Sequence, residues 1–407
     1  MKADELAGLP IGARIQAIRE RQGKSRPVIA NLVGRSAQWL KDVERGRRLP
    51  PRWDMLVSLA NVLHVDVTTL TGSAPIAADL QRREGHPVVA DLREAIEATP
   101  LQLPDGPEPD VQALLQRAAD AWQLWHNSRA PRTSAGALLP RLLRDGRRAV
   151  RVTSGTERRT AHMALTSAYA LAEQVLAWVS YPALLWLAAD RCMTSAQEAD
   201  RPEPLAGAAW VLGNVWRATG READAYRLAI DASELLEPHL TGGPDDARAL
   251  WGSVQLHAAI TAARMGEEGN ALHALDRGEE MSRRVPKGYA HPWTLFGKAN
   301  TKLTAVSVHV DMQKSGSALE RADAVDPDSV PSTDRRARLW LEMSRSYHQK
   351  KDSLATLQTL QRATETSEES MRCHPLSRSI AAELVTSGGR LIERDARNLA
   401  TRLGLTV

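Results

Sequence analysis

Among 407 residues there is one phenylalanine, there are five tyrosines, and there are only two cysteines. Val, Ile and β-branched runs are sparse, while Ala, Leu, Arg and Glu dominate. That balance favours helix over strand at nearly every position and argues against a β sandwich or a doubly wound sheet. Cys192 and Cys373 lie far apart, with no CxxC pair and no Cys/His ligand spacing. They read as free thiols of a reducing cytoplasm, with no metal and no cofactor expected. Long apolar runs are missing too. The best stretch, Val175 to Ala189, is broken by Ser180, Tyr181 and Pro182, short of the roughly 20 residues of a membrane span. The polar start, with Lys2, Asp4 and Glu5, is no secretory signal. A cytoplasmic chain without a membrane partner is expected.

Catalytic signatures are absent as well. There is no G-x-S-x-G, P-loop, dinucleotide fingerprint or H-E-x-x-H, and the 11 histidines are scattered. His348 and His374 come nearest to a cluster, but no carboxylate pattern ties them to chemistry. The expectation is not an enzyme. What remains is an ordinary globular composition, 43% apolar and 25% charged, on a chain too long for one compact core.

The net charge of +4 is unevenly placed. Residues 1–72 carry 12 basic and 7 acidic side chains, whereas the remaining 335 residues carry 41 and 42. The head is therefore +5 and the body −1, which points to a polyanion partner for the head.

Residues 9–70 read as five short helices. Ile11, Ile15 and Ile18 form an apolar stripe ending near Gly23. Ser25 and Ser36 can cap the second and third helices, with Pro27 in the first turn of the second. Leu40 and Val43 face inward, and a last turn falls around Val67 and Leu70. Ala30 is small where two helices would cross, and Gly34 can take a left-handed turn. Glu44-Arg45-Gly46-Arg47-Arg48 leads to Pro50. With these residues, Ser25 to Gly46 resembles the helix-turn-helix of the lambda-repressor-like, xenobiotic-response-element family. Arg35 departs from that family's apolar residue, and Arg26 from its usual Gln.

The resemblance implies that the third helix enters the major groove of an operator in double-stranded DNA. Its N-cap is Ser36, and its outward residues are Ala37, Gln38, Lys41 and Asp42. Gln38 suits adenine, Lys41 a guanine or a phosphate, and Ala37 a thymine methyl. Arg26, Arg35, Arg47 and Arg48 flank the helix and can neutralise phosphates. Trp39 is either an edge of the small core or a contact to the DNA backbone.

Residues 73–109 form a linker with one short helix, Val88 to Ala98, followed by four prolines and a glycine within 99–109. That proline stretch is either a connection between domains or a loop of the second. From 110 to 407 long amphipathic helices alternate with short breaks near Pro131, Gly155, Pro182, Pro202, Gly220, Pro244, Gly266, Pro286 and Pro327. Trp210, Trp251, Trp293 and Trp340 recur at intervals of 41, 42 and 47 residues, each expected near the start of the first helix of a pair. Leu212-Gly213, Trp216, Ala225 and Ala232 form one set, and Trp340, Met343, Tyr347 and Ala363 another. A third, Trp293-x-x-Phe296-Gly297 to Ala322 and Pro327, needs an insertion. This pattern resembles tetratricopeptide repeats, although the spacing exceeds their usual length.

An all-α architecture follows: a five-helix lambda-repressor-like domain (1–72), then a tetratricopeptide-like α-solenoid (110–407). Recurring Trp residues would be repeat packing. The resemblance implies a concave groove lined by Asn214, Arg217, His291, Lys298, Lys302, Arg338, Arg345 and His348, with Arg264 less securely placed. That set is basic, which suits an acidic ligand or a peptide carboxylate. The combination is similar to bacterial, actinobacterial-type transcription regulators, including quorum-sensing receptors. It implies a homodimer whose array senses a signalling peptide or small-molecule effector; the alternative is an array that binds a protein partner and no small ligand.

Overall fold

A computed structural model describes residues 9–48, 53–63, 65, 69–70, 86–99, 101–102, 106, 108–180 and 182–406. The described residues form helices and turns, with no strand among them. No helix among them is long and apolar enough to cross a membrane. Val67, Pro50, residues 71–85 and Pro100, Pro104 and Pro107 of the linker lie outside the described residues.

Among the described residues the head holds α1 (Ile11–Arg21), α2 (Arg26–Leu32), α3 (Ala37–Glu44) and α4 (Trp53–Val62), with Leu70 in a helical turn beyond them. Ile15 and Ile18 of the expected stripe meet Ile29, Ala30, Leu40, Val43, Leu59, Leu63 and Leu70 in one small core. Leu70 is the described remnant of the expected last turn, and it is fully buried.

Next come α5 (Val88–Glu97), α6 (Val111–Asn127), α7 (Pro131–Gly136) and α8 (Leu139–Val152). Five antiparallel pairs follow. They are α9 (Gly155–Leu176) with α10 (Pro182–Ala199), α11 (Pro202–Ala218) with α12 (Glu222–Leu236), α13 (Asp245–Met265) with α14 (Glu268–Ser282), α15 (Lys298–Asp311) with α16 (Ser315–Asp323), and α17 (Thr333–Gln349) with α18 (Ser353–Thr366). The chain ends with α19 (Glu368–Cys373), α20 (Pro375–Ser387) and α21 (Glu393–Arg402). The breaks fall where proline and glycine disallow continuation. Side-chain caps start several helices: Asp110 accepts from Gln112 and Ala113 at 3.0 and 2.9 Å, and Asp352 accepts from Ala355 at 3.0 Å.

The helix expected at 88–98 ends at Glu97 and is not isolated. Val88, Val89, Leu92, Ala95 and Ile96 share the core of the array. Arg147 donates to the Ile96 and Ala98 carbonyls at 2.9 and 2.8 Å, satisfying the end of α5.

Trp210 and Trp251 are buried on the first helices of their pairs, while Trp340 is half-buried. Trp293 differs from expectation: it lies in the turn before α15 rather than on a helix. The reason is packing. A Cβ at Gly207 would stand 2.6 Å from the Trp293 ring, and one at Gly252 would stand 2.0 Å from Phe296. Two glycines on first helices thus admit the aromatic turn 293–296, and the single Phe is fully buried there.

The array turns far enough for its start to meet its end. Thr333 Oγ1 donates to the Asn127 carbonyl at 3.3 Å, and Ser367 Oγ to the Arg129 carbonyl at 2.9 Å. Glu369 accepts from the Arg132 and Thr133 amides at 2.7 and 3.1 Å, which caps the first turn of α7 across the seam. Burial pushes this carboxyl up, but hydrogen bonds from His86, Thr133 and the two amides hold it below its usual range. Trp122 stacks on Trp293 at 6.1 Å between centroids, and Trp178 meets His374 in a tilted pair at 4.2 Å.

Candidate nucleic-acid interface and its contacts with the array

The turn between α2 and α3 is built as the sequence requires. Gly34 has φ +67°, a conformation that costs a residue with Cβ. The Arg35 amide then closes the turn on the Ala30 carbonyl at 2.8 Å. Ser36 caps α3 by accepting from the Trp39 amide at 3.1 Å. Leu40 and Val43 anchor the helix inward.

A buried ion cluster fixes the base of α3. The Glu44 carboxylate is fully enclosed and receives Arg19 Nη2 at 3.0 Å as well as Arg19 Nε. Arg26 Nε also donates to Glu44. Arg26, expected beside DNA phosphates, is half-buried with its Nε turned to this carboxylate.

The outer face of α3 presents Gln38 exposed and Ala37 and Lys41 half-exposed. Asp42 is buried and accepts Gln38 Nε2 at 3.0 and 3.1 Å. Its carbonyl receives the Arg47 and Arg48 amides at 2.8 and 3.1 Å, shaping the basic loop. Arg45 and Arg47 are exposed at this loop. Trp39 is half-buried against the head core, with the Arg35 guanidinium 5.7 Å from its ring.

Two flanking arginines point at the array. Arg35 Nη2 pairs with Glu222 at 2.6 Å. Arg48 donates through Nη1 to the Arg264 carbonyl at 3.3 Å and through Nη2 to the Asp311 carbonyl at 3.2 Å. Those carbonyls belong to the last turns of α13 and α15, where helix dipoles favour a cation. Glu222, Arg264 and Asp311 carry no local sequence signal for this role.

Within the array, Arg264, Arg338, Arg345 and His348 of the expected groove have acidic neighbours. Asp311 receives Arg264 at 3.0 Å and also Arg345. Burial raises the Asp311 carboxyl, yet the two guanidiniums hold it below the usual carboxylate range. Arg345 also pairs with Glu342, as does Arg338 at 2.6 Å. Arg217 donates to Asn214 Oδ1 at 2.9 Å. Below them, burial pushes the Glu173 carboxyl up to about 7, against hydrogen bonding from Gln174, the charge of Arg217 and hydrogen bonding from Asn214. His348 meets Glu383 at 3.3 Å, and Lys302 donates to the Ala324 carbonyl at 3.2 Å. Lys298 is exposed, while His291 is buried and accepts main-chain amides. The structure therefore joins Arg264, Arg338 and Arg345 through Asp311 and Glu342 and places Lys298, Lys302 and His348 elsewhere. The residues missed by sequence were the carboxylates. Only the Arg338–Glu342 and Glu342–Arg345 pairs, at i,i+4 and i,i+3, were legible as helix spacing.

Residues 10–71 match the family model for a helix-turn-helix domain. No curated protein matches the chain. The head is thus a helix-turn-helix DNA-binding domain, and the chain is a DNA-binding regulator with a helical array behind its head.

Proposed function

We propose that this chain is a sequence-specific transcriptional regulator, without catalytic activity, whose tetratricopeptide-like array dimerises and holds the DNA-binding head until an effector is sensed. One observation carries the reading: Arg35 and Arg48, which flank the recognition helix, are engaged by Glu222 and by the α13 and α15 carbonyls. The same guanidiniums cannot serve DNA phosphates while they are held. Control then amounts to a two-state balance, and an effector shifts it only by binding one state more tightly.

In this reading Gln38 and Lys41 read bases, and Arg47 with the released Arg35 and Arg48 sets register on phosphates. A homodimer places two heads on half-sites about one helical turn apart. The effector is a signalling peptide or a small acidic ligand. An array that binds a protein partner is the second reading, favoured by the internal pairing of Arg264, Arg338 and Arg345.

The test is to select operator DNA with the full chain and map its bound sites in cells with and without culture supernatant. Paired half-sites whose occupancy changes with supernatant support the reading. A single half-site would overturn the dimer. Occupancy unchanged by supernatant, but changed by a co-purifying protein, would replace the effector with a partner.

A further inference from the structure

At the seam where the array meets itself lies a cleft of about 430 Å³. Arg129 reaches it from the turn after α6, Thr333, Arg336 and Trp340 from α17, and Arg362 and Glu365 from α18. Arg336 donates through Nη2 to Thr333 Oγ1 at 3.1 Å, while its Nε is buried with no partner among the described residues. The Arg362 guanidinium stands 5.1 Å from the Trp340 ring centroid. Arg129 donates to the Glu365 main-chain carbonyl.

Several arginines elsewhere have carboxylate partners, as in Arg19–Glu44, Arg264–Asp311 and Arg345–Glu342. Arg129, Arg336 and Arg362 have no ion pair among the described residues. Three arginines and a single acid, Glu365, line the cleft, an excess of two positive charges. Like charges gathered at one cleft favour an anion there. A guanidinium fork matches a carboxylate or phosphate bidentately, and an indole supplies a flat apolar wall. The volume lies within the usual range of ligand clefts, about 300–1,000 Å³.

We propose that the seam cleft binds a small organic anion: a carboxylate or phosphate, held by Arg129, Arg336 and Arg362, on an apolar group that lies against Trp340. The same chemistry is offered by the C-terminal carboxylate of a short peptide and by a free aromatic acid or phosphate ester. Because the cleft spans the first and last parts of the array, its ligand bridges the seam. This deepens the effector reading and rests on it for any consequence at the head, whereas binding itself does not.

The experiment is calorimetry and thermal melting of the full chain with four probes: phenyl phosphate, the tripeptide Ala-Leu-Phe as free acid, the same peptide as its amide, and phenethylamine. At least one anion should bind saturably and raise Tm, while phenethylamine should do neither. Arg336→Met and the exposed-site change Arg362→Gln should each weaken that anion about tenfold, and Arg394→Ala, away from the cleft, should not. Circular dichroism checks that each variant is folded. Binding of the peptide acid but not its amide assigns a peptide terminus; binding of phenyl phosphate alone assigns a free organic anion. Equal binding of phenethylamine, absence of saturable binding by every anion, or unchanged affinity in both arginine variants would overturn the site. DNA affinity is read separately. Binding that leaves it unchanged contradicts effector control from this cleft and leaves the anion site standing.

Discussion

The Arg35 guanidinium of the head and the Glu222 carboxylate of the array meet at 2.6 Å, both mostly shielded from water. Shielding gives such a pair more weight than a solvated one, because less of the attraction is screened. It also places one of the head's basic residues in competition between DNA and the chain itself.

Removing the array side of that contact should free the head. Glu222→Gln keeps the shape and loses the charge. We expect the apparent affinity of the full chain for its operator to rise roughly 5- to 10-fold, corresponding to about 1–1.4 kcal/mol. Electrophoretic titration of operator DNA measures it. An affinity equal to the parent's would mean that the docked form does not limit DNA binding.

Arg47 is exposed and not drawn into the array, so its role at DNA can be separated from docking. Arg47→Ala should weaken binding to all sequences and reduce the slope of log K against log salt by about 1. Gln38→Ala should instead relax preference at one base pair. Titrations at several salt concentrations, paired with a base-substitution series, distinguish the two effects. Swapped behaviour would refute the assignment of phosphate and base roles.

Glu44 sits under α3 with Arg19 and Arg26 both donating to it. Glu44→Ala removes the buried carboxylate from two guanidiniums, one of them almost wholly buried. A loss of about 3–5 kcal/mol from the head is expected. Chemical denaturation followed by head-specific proteolysis would reveal it. Loss of DNA binding without loss of stability would point to a direct role at DNA instead.

Glu173 is buried in α9, and burial raises its carboxyl to about 7. A folded value above the unfolded one, about 4.3, means that the stabilising term is full below the unfolded value. It declines as pH rises through about 7. The array should therefore lose stability between about pH 4.3 and 7, an effect that Glu173→Gln should flatten. Melting curves across this range compare the two proteins. Parallel curves would show that Glu173 does not govern that dependence.

Gly252 admits Phe296, so the two positions should behave as one packing unit. Gly252→Ala should destabilise the array by about 1–3 kcal/mol through overpacking. Phe296→Ala should cost about 3–5 kcal/mol through the cavity it leaves. Denaturant midpoints of both variants and of the double variant measure the coupling. Strict additivity would mean that the two sites do not share a contact.

The sequence by itself determined the helical class, the breaks between helices and the head. The scarcity of strand formers, the positions of proline and glycine, and local pairs such as Ser36 with Trp39 or Ala30 with the Gly34 turn act over a few residues. Helix spacing also brought Arg338, Glu342 and Arg345 to one side of α17. Tertiary structure decided the rest. Trp293 left its expected helix because Gly207 made room for it in a turn. α5 joined the array because its apolar face found a partner there. Above all, the basic groove acquired Asp311 from another pair, and Arg35 acquired Glu222. Charges combine through space, and a residue count along the chain cannot say which carboxylate a guanidinium will reach.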